Sequence, residues 1–210
     1  MNWTNLSDWM TKGGQLMWPL AICSAAMMAA VIERLIMLRR SRVMPSGLIE
    51  AASRAETAAD GAELLPRLKT DVSPLGRILL SVVENRELPR PEADVLAEAV
   101  GRAEARGLSR RLLVLEAVYV IAPMLGLLGT VVGLMVIFQD FSSAGSGEAR
   151  AFSRGIAMAL LTTVTGLLIA IPSYIAHIYF SHRVEDMAIE MENLATKLSA
   201  ALRRSVENKG

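Results

Sequence analysis

Three long uncharged runs, Gly13 to Ile32, Ala117 to Phe138 and Gly155 to Phe180, constrain this chain more than any other feature of its sequence. Each reaches the roughly 20 residues that an α-helix needs to cross the hydrocarbon core of a bilayer. The expected fold is an all-α membrane protein with three transmembrane helices. Composition agrees, because 52% of the residues are apolar while the 20% that are charged fall in blocks between the runs. A formal net charge of +1 argues against a nucleic-acid partner, which would call for a basic excess. The only cysteine, Cys23, lies inside the first run, so no intramolecular disulfide can form. That run is longer than the apolar core of a usual signal peptide and is expected to be retained.

Orientation follows from the Lys and Arg residues at the ends of the runs. Arg34, Arg39, Arg40 and Arg42 follow the first, Arg102, Arg106, Arg110 and Arg111 precede the second, and Arg183 follows the third. The segment from Asp140 to Arg154 holds only Arg150 and Arg154. The N-terminus is therefore expected outside and the C-terminus in the cytoplasm. Trp3, Leu6, Trp9 and Met10 share one helical face, as a helix lying in the interface would require. The chain divides accordingly into a periplasmic interfacial helix (1–12), a first transmembrane helix (13–38), a cytoplasmic helical region (39–111), a second transmembrane helix (112–138), a periplasmic loop (139–154), a third transmembrane helix (155–180) and a cytoplasmic helical tail (181–210).

Between Glu33 and Glu116 the charges balance, and Pro45, Pro66, Pro74, Pro89 and Pro91 cut the chain into short helical pieces. From Pro91 onward the apolar residues keep helical spacing, which predicts one long helix entering the second span. The third span is also expected to continue into the cytoplasm. There Val184, Met187, Met191, Leu194, Leu198 and Leu202 recur at heptad-like intervals. Such a seam must pack on a helix of the same chain or of a neighbouring subunit.

Polar residues inside the spans fall on defined faces. At 100° per residue, Pro123, Gly126, Gly129, Thr130 and Gly133 share one face of the second span, with Leu127, Leu128, Val131, Val132 and Met135 opposite. On the third span Gly155, Met158, Ala159, Thr162, Thr165, Gly166, Ser173 and His177 face one way, and Leu160, Val164, Leu167, Leu168, Ile171 and Ile175 the other. Thr163 sits at the edge of that stripe. In lipid, small residues let helices approach closely, and hydroxyls find partners across helices or line a cavity. Both uses fit. A rise of 1.5 Å per residue puts Thr130 and Thr163 at similar depth, roughly 20 to 26 Å from the cytoplasmic ends.

The stretches IAPMLGLLGTVVGLM (Ile121 to Met135) and GIAMALLTTVTGLLIAIP (Gly155 to Pro172), with the Glu33-Arg34 pair after the first span, resemble the MotA/TolQ/ExbB proton-channel family, in its ExbB/TolQ branch. The resemblance implies a homopentamer around the transmembrane helices of an ExbD/TolR-like single-span partner dimer. It also implies an ion-driven motor that uses the proton motive force to energise transport or envelope processes, with a possible link to a TonB/TolA-like protein. By resemblance Thr130 and Thr163 are the pore-facing threonines of the second and third spans. The sequence departs at Met158, where ExbB and TolQ proteins carry a glutamate, so a titrating carboxylate would have to come from the partner. A MotA-like stator is the alternative within the family; a passive oligomeric scaffold is the alternative outside it.

The candidate ion pathway is thus Thr130, Thr162, Thr163 and Thr165, and the candidate surface for a partner helix is Gly126, Gly129, Gly133, Met158 and Gly166. Arg34, Arg110, Arg111 and Glu116 form a candidate charge cluster at the inner mouth, and His177 could relay protons. The methionines read as adaptable packing residues. No catalytic residues, metal ligands or cofactor are expected, because the sequence lacks a nucleophile with its base, a phosphate-binding loop and clustered ligands. An enzyme is not the expectation.

Overall fold

The computed structural model describes residues 13–58, 64–144 and 149–207, and among them every regular element is helical. The periplasmic interfacial helix expected at 1–12 lies outside the described residues. The elements are α1 (Met17–Met37), α2 (Arg40–Val43), α3 (Ser46–Ala58), α4 (Leu65–Thr70), α5 (Pro74–Glu84), α6 (Arg90–Arg110), α7 (Leu113–Ala144) and α8 (Ala149–Glu207). Three stretches, within Met17–Met37, Arg90–Gln139 and Ser153–Arg204, are long and apolar enough to cross a membrane. The second and third helices outrun their apolar sequences, so both extend into the segment read as a periplasmic loop. The chain forms two compact units.

The first unit contains the chain up to Ile32 together with Leu112–Ile178. Its apolar centre gathers Met17 and Leu20 of α1, Val118 and Ala122 of α7, and Ile169 and Ala170 of α8, with Cys23, Ala26, Met27 and Leu125 packed against it. Lipid gives apolar side chains no gain from leaving water, so α7 and α8 must hold together by close packing and polar contacts. Their small residues permit it. Ala122, Gly126, Gly129, Gly133 and Ile137 are buried along α7, and Gly155, Ala159, Thr162, Gly166, Ile169 and Ser173 along α8. A Cβ on Gly126 would stand 3.1 Å from the Thr162 carbonyl oxygen, and one on Gly133 would stand 2.9 Å from that of Gly155. Leu127, Leu128 and Met135 on α7, and Leu160, Leu167, Leu168 and Ile175 on α8, are exposed, as the helical wheels predict.

The second unit contains Glu33–Arg111 and the chain from Tyr179 onward. Ser73 starts α5: its hydroxyl accepts the Gly76 N–H at 3.1 Å, and Pro74 follows at a position where a missing donor costs nothing. Asp71 fixes the approach by accepting the Ser73 N–H at 2.7 Å, and a Cβ on Gly76 would stand 2.7 Å from that carboxylate. α5 and α6 are tied by a forked pair in which Arg77 reaches Glu104 through Nε at 2.7 Å and through Nη2 at 2.9 Å.

The tail of α8 buries Val184, Met187, Met191, Ala195, Leu198 and Leu202. The heptad-like seam is therefore part of an intramolecular core. Ala195 occupies its middle, while Leu194 is only half-buried.

The helix expected to enter the second span covers Arg90–Gln139, with its regular hydrogen bonding interrupted between the end of α6 at Arg110 and the start of α7 at Leu113. Arg111, which caps α6, remains in the right-handed region (φ −82°, ψ −7°). Arg34 Nη1 donates to the Leu108 carbonyl at 3.1 Å, the oxygen that a regular helix offers to the N–H four residues on.

Candidate functional site

The cluster of threonines in α8 divides by partner. Thr162 has 0% exposure and lies where a Cβ on Gly129 would strike its side chain; its hydroxyl donates within its own helix, to Ala159 O at 2.9 Å or Met158 O at 3.1 Å. Thr163 donates across the seam to Gly126 O at 3.1 Å. Thr165 donates to Leu161 O at 2.7 Å, and Thr130, on α7, to Leu127 O at 2.6 Å. Thr130, Thr163 and Thr165 are half-buried, so their oxygens keep unused acceptor capacity at the margin of the seam.

Ser173 closes the same stripe further along. It is fully buried and donates to Leu115 O at 3.0 Å, joining α8 to the first turn of α7.

Gly126, Gly129, Gly133 and Gly166 all lie inside the seam of this chain, where they let the two backbones approach. Met158 is half-buried, and a Cβ on Gly14 would meet its terminal methyl. Gly14 holds φ +70°, a conformation that residues with a Cβ rarely adopt, so glycine is required there twice over. His177 lies beside Tyr119 of α7, with ring centroids 5.5 Å apart.

Within the second unit, Arg34 is 3% exposed, and its guanidinium binds Leu108 O together with Glu33 Oε1 at 3.4 Å. Arg111 binds the same Glu33 oxygen. Glu33 is thus the residue that joins Arg34 to Arg111. The sequence shows Glu33 beside Arg34 but carries no sign that Arg111 comes to it. Arg110 is exposed and has no ion pair among the described residues. Glu116 belongs to the first unit, in the first turn of α7, where a negative charge suits the positive end of the helix dipole. Two further arginines anchor the segment after α1: Arg183 donates to Leu38 O at 3.1 Å, and Arg40 pairs with Glu190. Among the described residues no group of three or more His, Cys, Asp or Glu could hold a metal ion.

Residues 71–193, more than half of the chain, match the profile of the MotA/TolQ/ExbB proton channel family. The chain is 34% identical over 175 residues to the biopolymer transport protein ExbB-like 1 of Synechocystis sp., covering 79% of this chain and 66% of that relative. It is 30% identical over 164 residues to the biopolymer transport protein exbB1 of Vibrio cholerae, covering 76% of this chain and 72% of the relative. Against the Tol-Pal system protein TolQ of Pseudomonas aeruginosa, identity is 34% over 128 residues, covering 58% of this chain and 55% of TolQ.

Proposed function

The chain belongs to the MotA/TolQ/ExbB proton channel family, in its ExbB/TolQ branch, and from that premise we propose that it is the multi-pass subunit of an inner-membrane motor driven by ion flow. In this reading the N-terminus is periplasmic, and five copies enclose a dimer of an ExbD/TolR-like single-span protein. The motion of that dimer would work on transport or on the envelope, directly or through a TonB/TolA-like protein.

The observation that carries the reading is the row of polar oxygens kept within the spans. Thr130, Thr163 and Thr165 are only partly covered by their own chain. A half-buried hydroxyl inside the membrane is favoured where it meets a water-filled cavity or another helix, not lipid. Thr162 backs this row from inside the seam. With Met158 on the stripe in place of a carboxylate, a titrating carboxylate comes from the partner. Glu33, Arg34 and Arg111 form the fixed charges at the inner mouth.

The scaffold reading is supported by one specific observation: each threonine hydroxyl already gives its proton to a backbone carbonyl of the same chain. Flux separates the two. The protein is purified with its partner, its stoichiometry is read by native mass spectrometry, and proton uptake is followed in proteoliposomes under an imposed gradient. A pentameric assembly that passes ions supports the motor. A stable assembly that passes none leaves the scaffold.

A further inference from the structure

Every hydroxyl named along the seam of α7 and α8 commits its proton: Thr130 to Leu127 O, Thr162 to Ala159 O, Thr163 to Gly126 O, Thr165 to Leu161 O and Ser173 to Leu115 O. A hydroxyl has a single O–H. In this arrangement the stripe can accept hydrogen bonds but has no proton left to hand on.

His177 differs from all of them. Its Nδ1 is buried and has no hydrogen-bond partner among the described residues. Its ring is tilted by 57° against that of Tyr119 on α7, and Tyr119 also meets Tyr174, one turn earlier on α8, edge-on at 5.1 Å. Ser173 cannot relieve the nitrogen by donating to it, because its proton goes to Leu115 O. Tyr119 is the titratable group facing His177 from α7 and Tyr174 the one beside it on α8; no carboxylate or cation binds the ring among the described residues. A buried polar atom without a partner calls for an explanation in catalysis, an ordered water or an ion. Imidazole is the side chain whose ordinary chemistry binds and releases a proton near neutrality.

We propose that His177 is a proton-transfer station at the end of the α8 polar stripe, with its ring held in place by Tyr119. Starting from the neutral ring protonated on Nε2, the Nδ1 lone pair takes a proton from a hydrated proton, which leaves water, and the ring becomes imidazolium. Loss of the Nε2 proton to a second water restores a neutral ring. Exchange of ring protons with water resets the tautomer, and no electrons are transferred. The station presupposes the ion-driven reading above, yet it can fail separately from it.

The chain has two histidines, so His182→Gln leaves His177 as the only imidazole. In the full chain in lipid nanodiscs, labelled with 15N-histidine, the Nδ1 signal is expected to show both the unprotonated and the protonated form as the bathing pH is varied. An Nδ1 that stays in one form at every pH overturns the proposal. In proteoliposomes of the complex, His177→Gln should slow proton uptake by about tenfold or more and alter its pH profile, while His182→Gln should change neither. His177→Phe, which keeps a ring against Tyr119, should lose flux as the Gln variant does. Wild-type flux in the Phe variant would assign a packing role and overturn the station. A wild-type assembly that passes no protons removes the ion-driven reading and the station together; normal wild-type flux left unchanged by His177→Gln removes the station alone.

Discussion

Gly129 and Gly101 both lie inside helices, and the same substitution should act on them in opposite directions. A Cβ on Gly129 would collide with the side chain of Thr162, which is enclosed on all sides. Gly129→Ala should therefore cost about 1–3 kcal/mol, as overpacking does. At Gly101 a Cβ meets nothing within 4 Å. Gly101→Ala should stabilise α6 by about 0.5–1 kcal/mol through helix propensity alone. Thermal unfolding of both variants in one detergent checks the pair, and equal shifts would remove the close approach of α7 and α8 as its cause. The threonines allow a similar contrast. Thr163→Val loses a bond between helices and should cost about 0.6 kcal/mol, a usual value for such bonds in membranes. Thr130→Val loses only a bond within its own turn and should barely change stability. Both variants should keep the assembly intact while lowering ion-coupled work, because valine keeps the shape and removes the oxygen. Loss of the oligomer in both, seen by native mass spectrometry, would assign the hydroxyls to assembly instead.

Among the elements, the break between α6 and α7 can be tested at Arg34. Arg34 holds the Leu108 carbonyl, so Arg34→Met should free that oxygen for the backbone N–H of Leu112. Hydrogen exchange at Leu112 should then slow, although the protein loses about 1–3 kcal/mol for a buried polar partner. Unchanged exchange at Leu112 in a folded variant would show that something else ends α6. The start of α5 depends on a single hydroxyl: Ser73→Ala should cost about 1 kcal/mol and speed exchange at Gly76. Periodicity made the α8 tail legible as a buried seam, because Val184, Met187, Met191, Leu198 and Leu202 follow helical spacing. It could not choose Ala195 over Leu194, since the neighbouring helices decide which of two adjacent residues turns inward. Nor could periodicity see that Arg34 binds a carbonyl 74 residues away, beside the break at Arg111.

For the whole molecule, the test of the two faces of α8 is a pair of glutamates. Met158 is half-buried on the stripe, and Leu168 is 57% exposed on the opposite face. A charged acid facing lipid near the middle of the membrane costs about 2.5–3.5 kcal/mol on insertion scales. Leu168→Glu should therefore impair insertion or assembly. Met158→Glu should leave most of the proposed pentamer in place, because the carboxyl meets protein or a cavity and can be neutralised by protonation. Equal yields of assembled protein from the two variants, or loss of Met158→Glu alone, would overturn the assignment of faces. The sequence by itself determined the helical class, the three spans and the inward faces of α7 and α8. Those properties depend on the length of apolar runs and on a period of 3.6 residues, both local to the chain. Only the tertiary structure decided that Gly129 receives Thr162, that Thr163 reaches Gly126, that Glu33 joins Arg34 to Arg111, and that His177 keeps a buried nitrogen without a partner among the described residues. Each of these depends on which residues of distant segments lie at the same height along their helices. A hydrogen bond or a close backbone approach tolerates errors of only a few tenths of an ångström, and spacing along one helix does not contain that information.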